Sequence, residues 1–112
     1  MILLLSGTGD GRKIFSVLSK KGYPVLAAVA TSYGVRILSG ECLSGGAQLS
    51  SQPLDSSAIV SLIQEKGIRA VVDATHPFAV QASANAIRAC EITGVRYIFV
   101  MNGHLLICRI IR

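Results

Sequence analysis

Charge is scarce in this chain: 15% of its 112 residues are charged and 51% are hydrophobic. That balance excludes a disordered chain, which carries much charge and little apolar surface. Long apolar runs are also missing, so no transmembrane helix is expected. The opening Met1–Leu5 is apolar but has neither a basic flank nor a cleavage signal. It reads as a strand, and the expected location is the cytoplasm. Aromatics make up 5% of the chain, and no basic run exceeds the pair Lys20-Lys21. A nucleic-acid groove, which needs clustered arginine and exposed aromatics, is therefore not expected. The formal net charge of +5 suits a small acidic partner instead. Cysteine is sparse: Cys42, Cys90 and Cys108 are odd in number, far apart and in no metal-ligand spacing. Neither a disulfide framework nor a metal site is expected, only buried or incidental thiols.

What is present alternates. Ile2-Leu3-Leu4-Leu5 is a continuous apolar run, as in a central parallel strand. A glycine run follows, then a helical pattern over Arg12–Lys21, with Gly11, Ile14, Phe15 and Leu18 on one face and Gly22 placed to end it. Val25–Ala30 reads as a second strand. The Gly- and Ser-rich Val35–Pro53 holds only weak strand signals, at Ile37-Leu38 and Ala47-Gln48-Leu49. Asp55 reads as a helix N-cap, Ile59, Leu62 and Ile63 as the stripe of that helix, and Gly67 as its end. Arg69–Asp73 is a strand. Pro77 suits the first turn of a further helix, whose buried arc is Phe78, Ala82, Ala86, Ala89 and Cys90. Arg96–Val100 is another strand, and residues 101–112 add apolar Leu105-Leu106-Ile107 and Ile110-Ile111 but show no helix pattern. The alternation predicts an α/β fold, a doubly wound parallel sheet of Rossmann-like type.

Three stretches carry chemistry. Gly7-Thr8-Gly9-Asp10-Gly11 joins a strand to a helix, where glycines and free helix N–H groups can cradle a phosphate. The third glycine comes one residue too early for the dinucleotide fingerprint, so a tight turn without a ligand is the alternative. Thr31, Ser32, Tyr33 and Gly34, with Arg36 behind them, follow the second strand without an acid. Hydroxyls and a cation there fit the 2′-phosphate of NADPH better than the diol of NADH, or else form an ordinary polar turn. Asp73, Thr75 and His76 end a strand at the edge where ligands of open α/β sheets bind. Either they line that cleft, where a histidine can donate a proton or bind a carboxylate, or Thr75 or His76 caps the next helix while Asp73 bonds to backbone.

Together these stretches resemble the precorrin-6A and cobalt-precorrin-6A reductases of cobalamin biosynthesis. Ile2–Arg12 is similar to that family's opening, and Val29–Gly34 to its segment after the second strand. Asp73-Ala74-Thr75-His76-Pro77-Phe78-Ala79 matches its most distinctive motif, and Cys90-Glu91 and Gly94–Tyr97 continue the likeness. Ser6 stands where the family usually has glycine, and the sequence after Ile98 departs from the family pattern. The resemblance implies an NADPH-dependent reduction of one double bond in an anionic tetrapyrrole, a corrinoid precursor. Gly7, Thr8, Gly9, Asp10, Gly11 and Arg12 would hold the cofactor's phosphates. Thr31, Ser32, Tyr33, Gly34 and Arg36 would lie near its adenosine end. Asp73, Thr75 and His76 would face the nicotinamide and substrate.

On this reading residues 1–100 form a Rossmann-like NADPH-binding domain, and residues 101–112 an atypical tail where the family has a second domain. Such a chain is expected to self-associate through surface the second domain would cover. A non-catalytic NADP-binding module and an inactive remnant are the alternatives.

Overall fold

The computed structural model describes residues 1–7, 9–29, 48–50, 54–75, 79–101 and 104–108. Strand β1 (Ile2–Ser6) alternates its side chains between two separate cores. Leu3 and Leu5 join the first, and Leu4 joins the second. Helix α1 (Gly9–Lys20) covers the second core with fully buried Phe15, flanked by Ile14 and Leu18. Helices α2 (Ser56–Lys66) and α3 (Val80–Thr93) cover the first through Ile59, Ile63, Ala86, Ala89 and Cys90. Each large apolar side chain so buried contributes roughly 1.5–3 kcal/mol relative to exposure. Helices on both faces explain the continuous apolar strands and make the fold doubly wound.

The remaining strands are β2 (Val25–Val29), β3 (Gln48–Ser50), β4 (Ala70–Ala74), β5 (Arg96–Met101) and β6 (His104–Cys108). They form one six-stranded sheet in the order β3-β2-β1-β4-β5-β6. All described pairings are parallel except β5 with β6, which is antiparallel. The weak signal around Leu49 is thus a strand, while Ile37-Leu38 lies outside the described residues.

Local chemistry sets the limits of α2. The Asp55 carboxylate accepts from the Ala58 amide at 2.8 Å, satisfying one donor the helix cannot pair. At the other end Gly67 takes the left-handed conformation (φ 64°, ψ 41°), which a side chain resists.

One helix start differs from expectation. Helix α1 begins at Gly9 and not after the glycine run, because Gly9 and Gly11 are taken into its first turns. Helix α3 begins at Val80, and Pro77, expected in its first turn, lies outside the described residues. Residues 101–112 include β6, paired with β5 from Tyr97↔Cys108 to Met101↔His104. Apolar Leu105-Leu106-Ile107 carries no period of its own. The unpaired edge of β5 supplies its hydrogen-bond partners. No helix among the described residues is long and apolar enough to cross a membrane.

Candidate functional site

β1 and β4 are neighbours in register, Ser6 opposite Ala74. Just beyond them the Gly7 amide donates to the Ala74 carbonyl at 3.3 Å. From β1 the chain continues to β2 and β3 on one side, and from β4 to β5 and β6 on the other. The order therefore reverses between β1 and β4, and the crevice outside their carboxyl ends is the ligand position of such sheets. Gly7 of the glycine run and Ala74 of the Asp73–Ala79 motif, separated by over sixty positions in the sequence, thus meet beside this one crevice.

On the β1 side, Gly7 is exposed at the strand end, and Thr8 lies outside the described residues. Gly9, Asp10, Gly11 and Arg12 open α1, whose first N–H groups have no partner within the helix. Asp10 is the second residue of that helix, so it is not the N-cap. Gly11 is buried against β1: a Cβ there would sit 2.5 Å from Ser6 Oγ and 3.1 Å from Ser6 Cα. Its missing side chain serves helix–strand packing, whereas Gly7 is exposed beyond the end of β1. Arg12 is exposed. β2 ends at Val29, opposite Ser6. The expected adenosine-side residues Thr31, Ser32, Tyr33, Gly34 and Arg36 follow it and lie outside the described residues.

On the β4 side the sequence leaves Asp73 either lining the cleft or bonding to backbone, and the structure shows it buried and bonded to its neighbours. Asp73 is 0% exposed, on the α2/α3 side of the sheet with Val71 and Tyr97. Its Oδ1 accepts from the Thr75 amide at 3.0 Å and the Thr75 hydroxyl at 2.6 Å. Its Oδ2 accepts from Ser83 Oγ and from the Tyr97 hydroxyl, both at 2.6 Å. Two oxygens with about four lone-pair sites thus meet four neutral donors. Burial of the carboxylate is tolerable on those terms. Thr75 is half-buried directly after β4, at the crevice.

The capping reading is corrected for Thr75: the N-cap of α3 is Ala79, which makes no side-chain bond. His76, with Pro77 and Phe78, lies outside the described residues. Ser83 and Tyr97 were not among the candidates. The available signal was Asp73 itself, since a carboxylate in a strand buried on both faces requires donors from what packs on it. On the same helix as Ser83, Cys90 is a buried free thiol whose pKa burial raises to about 11, so it is not poised as a nucleophile.

The chain matches the family described as precorrin-6x reductase CbiJ/CobK over residues 1–102. It is 39% identical over 98 residues to the cobalt-precorrin-6A reductase of Priestia megaterium, covering 88% of this chain and 37% of that protein. With the cobalt-precorrin-6A reductase of Methanothermobacter thermautotrophicus it shares 36% over 97 residues, 87% of this chain and 32% of that one. The solved structure of a CobK precorrin-6A reductase superposes with a TM-score of 0.72 at 28% identity, covering 90% of this chain and 37% of that chain. The chain thus spans about a third of the length of the relatives it matches.

Proposed function

The chain belongs to the precorrin-6x reductase family, and from that premise we propose that it forms the cofactor-binding part of an NADPH-dependent corrinoid reductase. The observation that supports the reading is the Gly7–Ala74 hydrogen bond, which joins the start of the glycine run to the end of β4 at the reversal point of the sheet. The residues fit a dinucleotide: Gly7 is exposed at the end of β1, Gly9 opens α1 without a Cβ, and the first N–H groups of a helix, which have no partner within it, favour a phosphate.

Gly7, Thr8 and Gly9 would hold the pyrophosphate, with Arg12 contributing positive charge. Thr31, Ser32 and Arg36 would take the 2′-phosphate, and Tyr33-Gly34 would border the adenosine. When bound, NADPH supplies the hydride for one carbon of a double bond in the tetrapyrrole. The chain's own work is placement: Thr75 stands at the crevice, and His76 donates a proton to the neighbouring carbon or binds a carboxylate of the macrocycle. Residues 1–100 would form this unit, and closure over the macrocycle would fall to the portion of the relatives that this chain does not span.

Calorimetric titration with NADPH and NADH is the test. Tighter binding of NADPH is expected, since residues 31–36 carry Thr31, Ser32 and Arg36 and no acid. Equal or reversed affinities would overturn the cofactor assignment. Reduction of precorrin-6A or its cobalt form, followed by absorbance in a protein containing the whole reading frame, tests the substrate class.

A further inference from the structure

We propose that Asp73 is a positioning residue that acts on the ligand crevice through Thr75 and is itself held by α3 and β5 through Ser83 and Tyr97. Its carboxylate has no exposure and no acceptor site left for a ligand. Proton exchange with substrate is therefore not its task. What it does is join three elements at one point. Ser83 is in the first turns of α3, Tyr97 is in β5, and Thr75 is the first residue after β4.

The bonding sense also fixes the chemistry that Thr75 presents. Its hydroxyl proton is committed to Asp73 Oδ1 at 2.6 Å, and that of Ser83 to Oδ2 at 2.6 Å. The 3.4 Å approach of the two hydroxyl oxygens is consequently without a proton of its own. Thr75 is left as a hydrogen-bond acceptor. A ligand group meeting it must be a donor, an amide N–H or a hydroxyl. An ester, ether or phosphate oxygen would find no proton there. This part rests on the dinucleotide reading, since NADPH offers both an amide and ribose hydroxyls.

The test has two independent readouts on Asp73→Asn, Ser83→Ala and Tyr97→Phe. Ser83→Ala keeps a good helix former and Tyr97→Phe keeps the buried ring, so these two secure folded protein if Asp73→Asn does not fold. The first readout is amide exchange without ligand. Loss of any bond to Asp73 should speed exchange of the Thr75 and Gly7 amides by about tenfold or more, the loss of about 1.4 kcal/mol. Leu4 and Val72 amides should keep their protection. Unchanged Thr75 and Gly7 exchange in all three variants overturns the proposal.

The second readout is NADPH affinity of the folded variants, combined with Thr75→Val in a double-mutant cycle. Each variant should weaken binding, but none should weaken it further once Thr75 is valine. Additive losses would show that Asp73 acts on the ligand by another route and overturn the mediation by Thr75. If exchange responds as expected while the unmodified protein binds no NADPH, the positioning role stands and the cofactor reading fails.

Discussion

Gly11 and Ser6 are in contact across the α1–β1 interface, with no room for a methyl group between them: a Cβ on Gly11 would fall 2.5 Å from Ser6 Oγ. The side chain of Ser6 is buried, and so is Gly11. Gly11→Ala should therefore overpack this seam and cost about 1–3 kcal/mol in urea unfolding. Ser6→Gly, by removing the clashing hydroxymethyl group, should restore part of that loss in the double variant. The Cα of Ser6 stays 3.1 Å from the added methyl, so rescue should be incomplete. Full additivity of the two changes would show that the seam relaxes elsewhere.

The two ends of α2 should weaken independently. Asp55→Ala removes the acceptor of the Ala58 amide and should cost about 0.5–2 kcal/mol. Gly67→Ala forces a side chain into the left-handed region at φ 64° and should cost about 1–2 kcal/mol. No atom lies within 4 Å of the added methyl, so conformational strain alone is measured there. Thermal or chemical unfolding of the two variants and their combination checks the magnitudes and the additivity.

Cys90 should be silent at neutral pH and felt in alkali. Burial raises its thiol to about 11 from an ordinary 9.0. Above pH 9 the unfolded chain releases this proton while the folded one keeps it, so stability falls as pH rises between about 9 and 11. Cys90→Ala should flatten that portion of the stability–pH curve. Alkylating reagent at pH 7.5 should label this thiol only after denaturation, as peptide mapping would show.

His76 is expected to act on substrate and not on stability. In a protein containing the whole reading frame, His76→Ala should depress single-turnover reduction much more than it changes the melting temperature. Since Ala79 is the N-cap of α3, loss of this imidazole should leave the start of that helix in place. A melting loss of the size of a lost cap, with turnover unchanged, would assign His76 a structural role.

Within one element, the sequence was informative wherever the cause is local. Asp55 and Gly67 were readable as the ends of α2, because a side-chain oxygen and a missing Cβ act on neighbouring backbone. Ile59, Ile63, Ala86 and Ala89 were readable as buried stripes from helical period alone. The glycine run and the Asp73–Ala79 motif were legible as candidate site components, because strand-to-helix junctions in this fold class gather on one sheet edge.

The sequence alone thus determined the alternation of strands and helices from β1 to β5, both ends of α2 and the apolar faces, and it singled out the two stretches proposed for the site. All of these arise from neighbours along the chain, or from a period that any burial would satisfy. Tertiary structure decided what depends on residues far apart. It placed β6 on the edge of β5, where the free backbone groups of that strand offered a partner. It gave Gly11 to the packing of α1 on Ser6. It also set Asp73 on the α3 side of the sheet, because β4 presents that position to the same face as Val71. A buried carboxylate takes its donors wherever packing supplies them, and Ser83 and Tyr97 become its neighbours only when α3 and β5 close over β4.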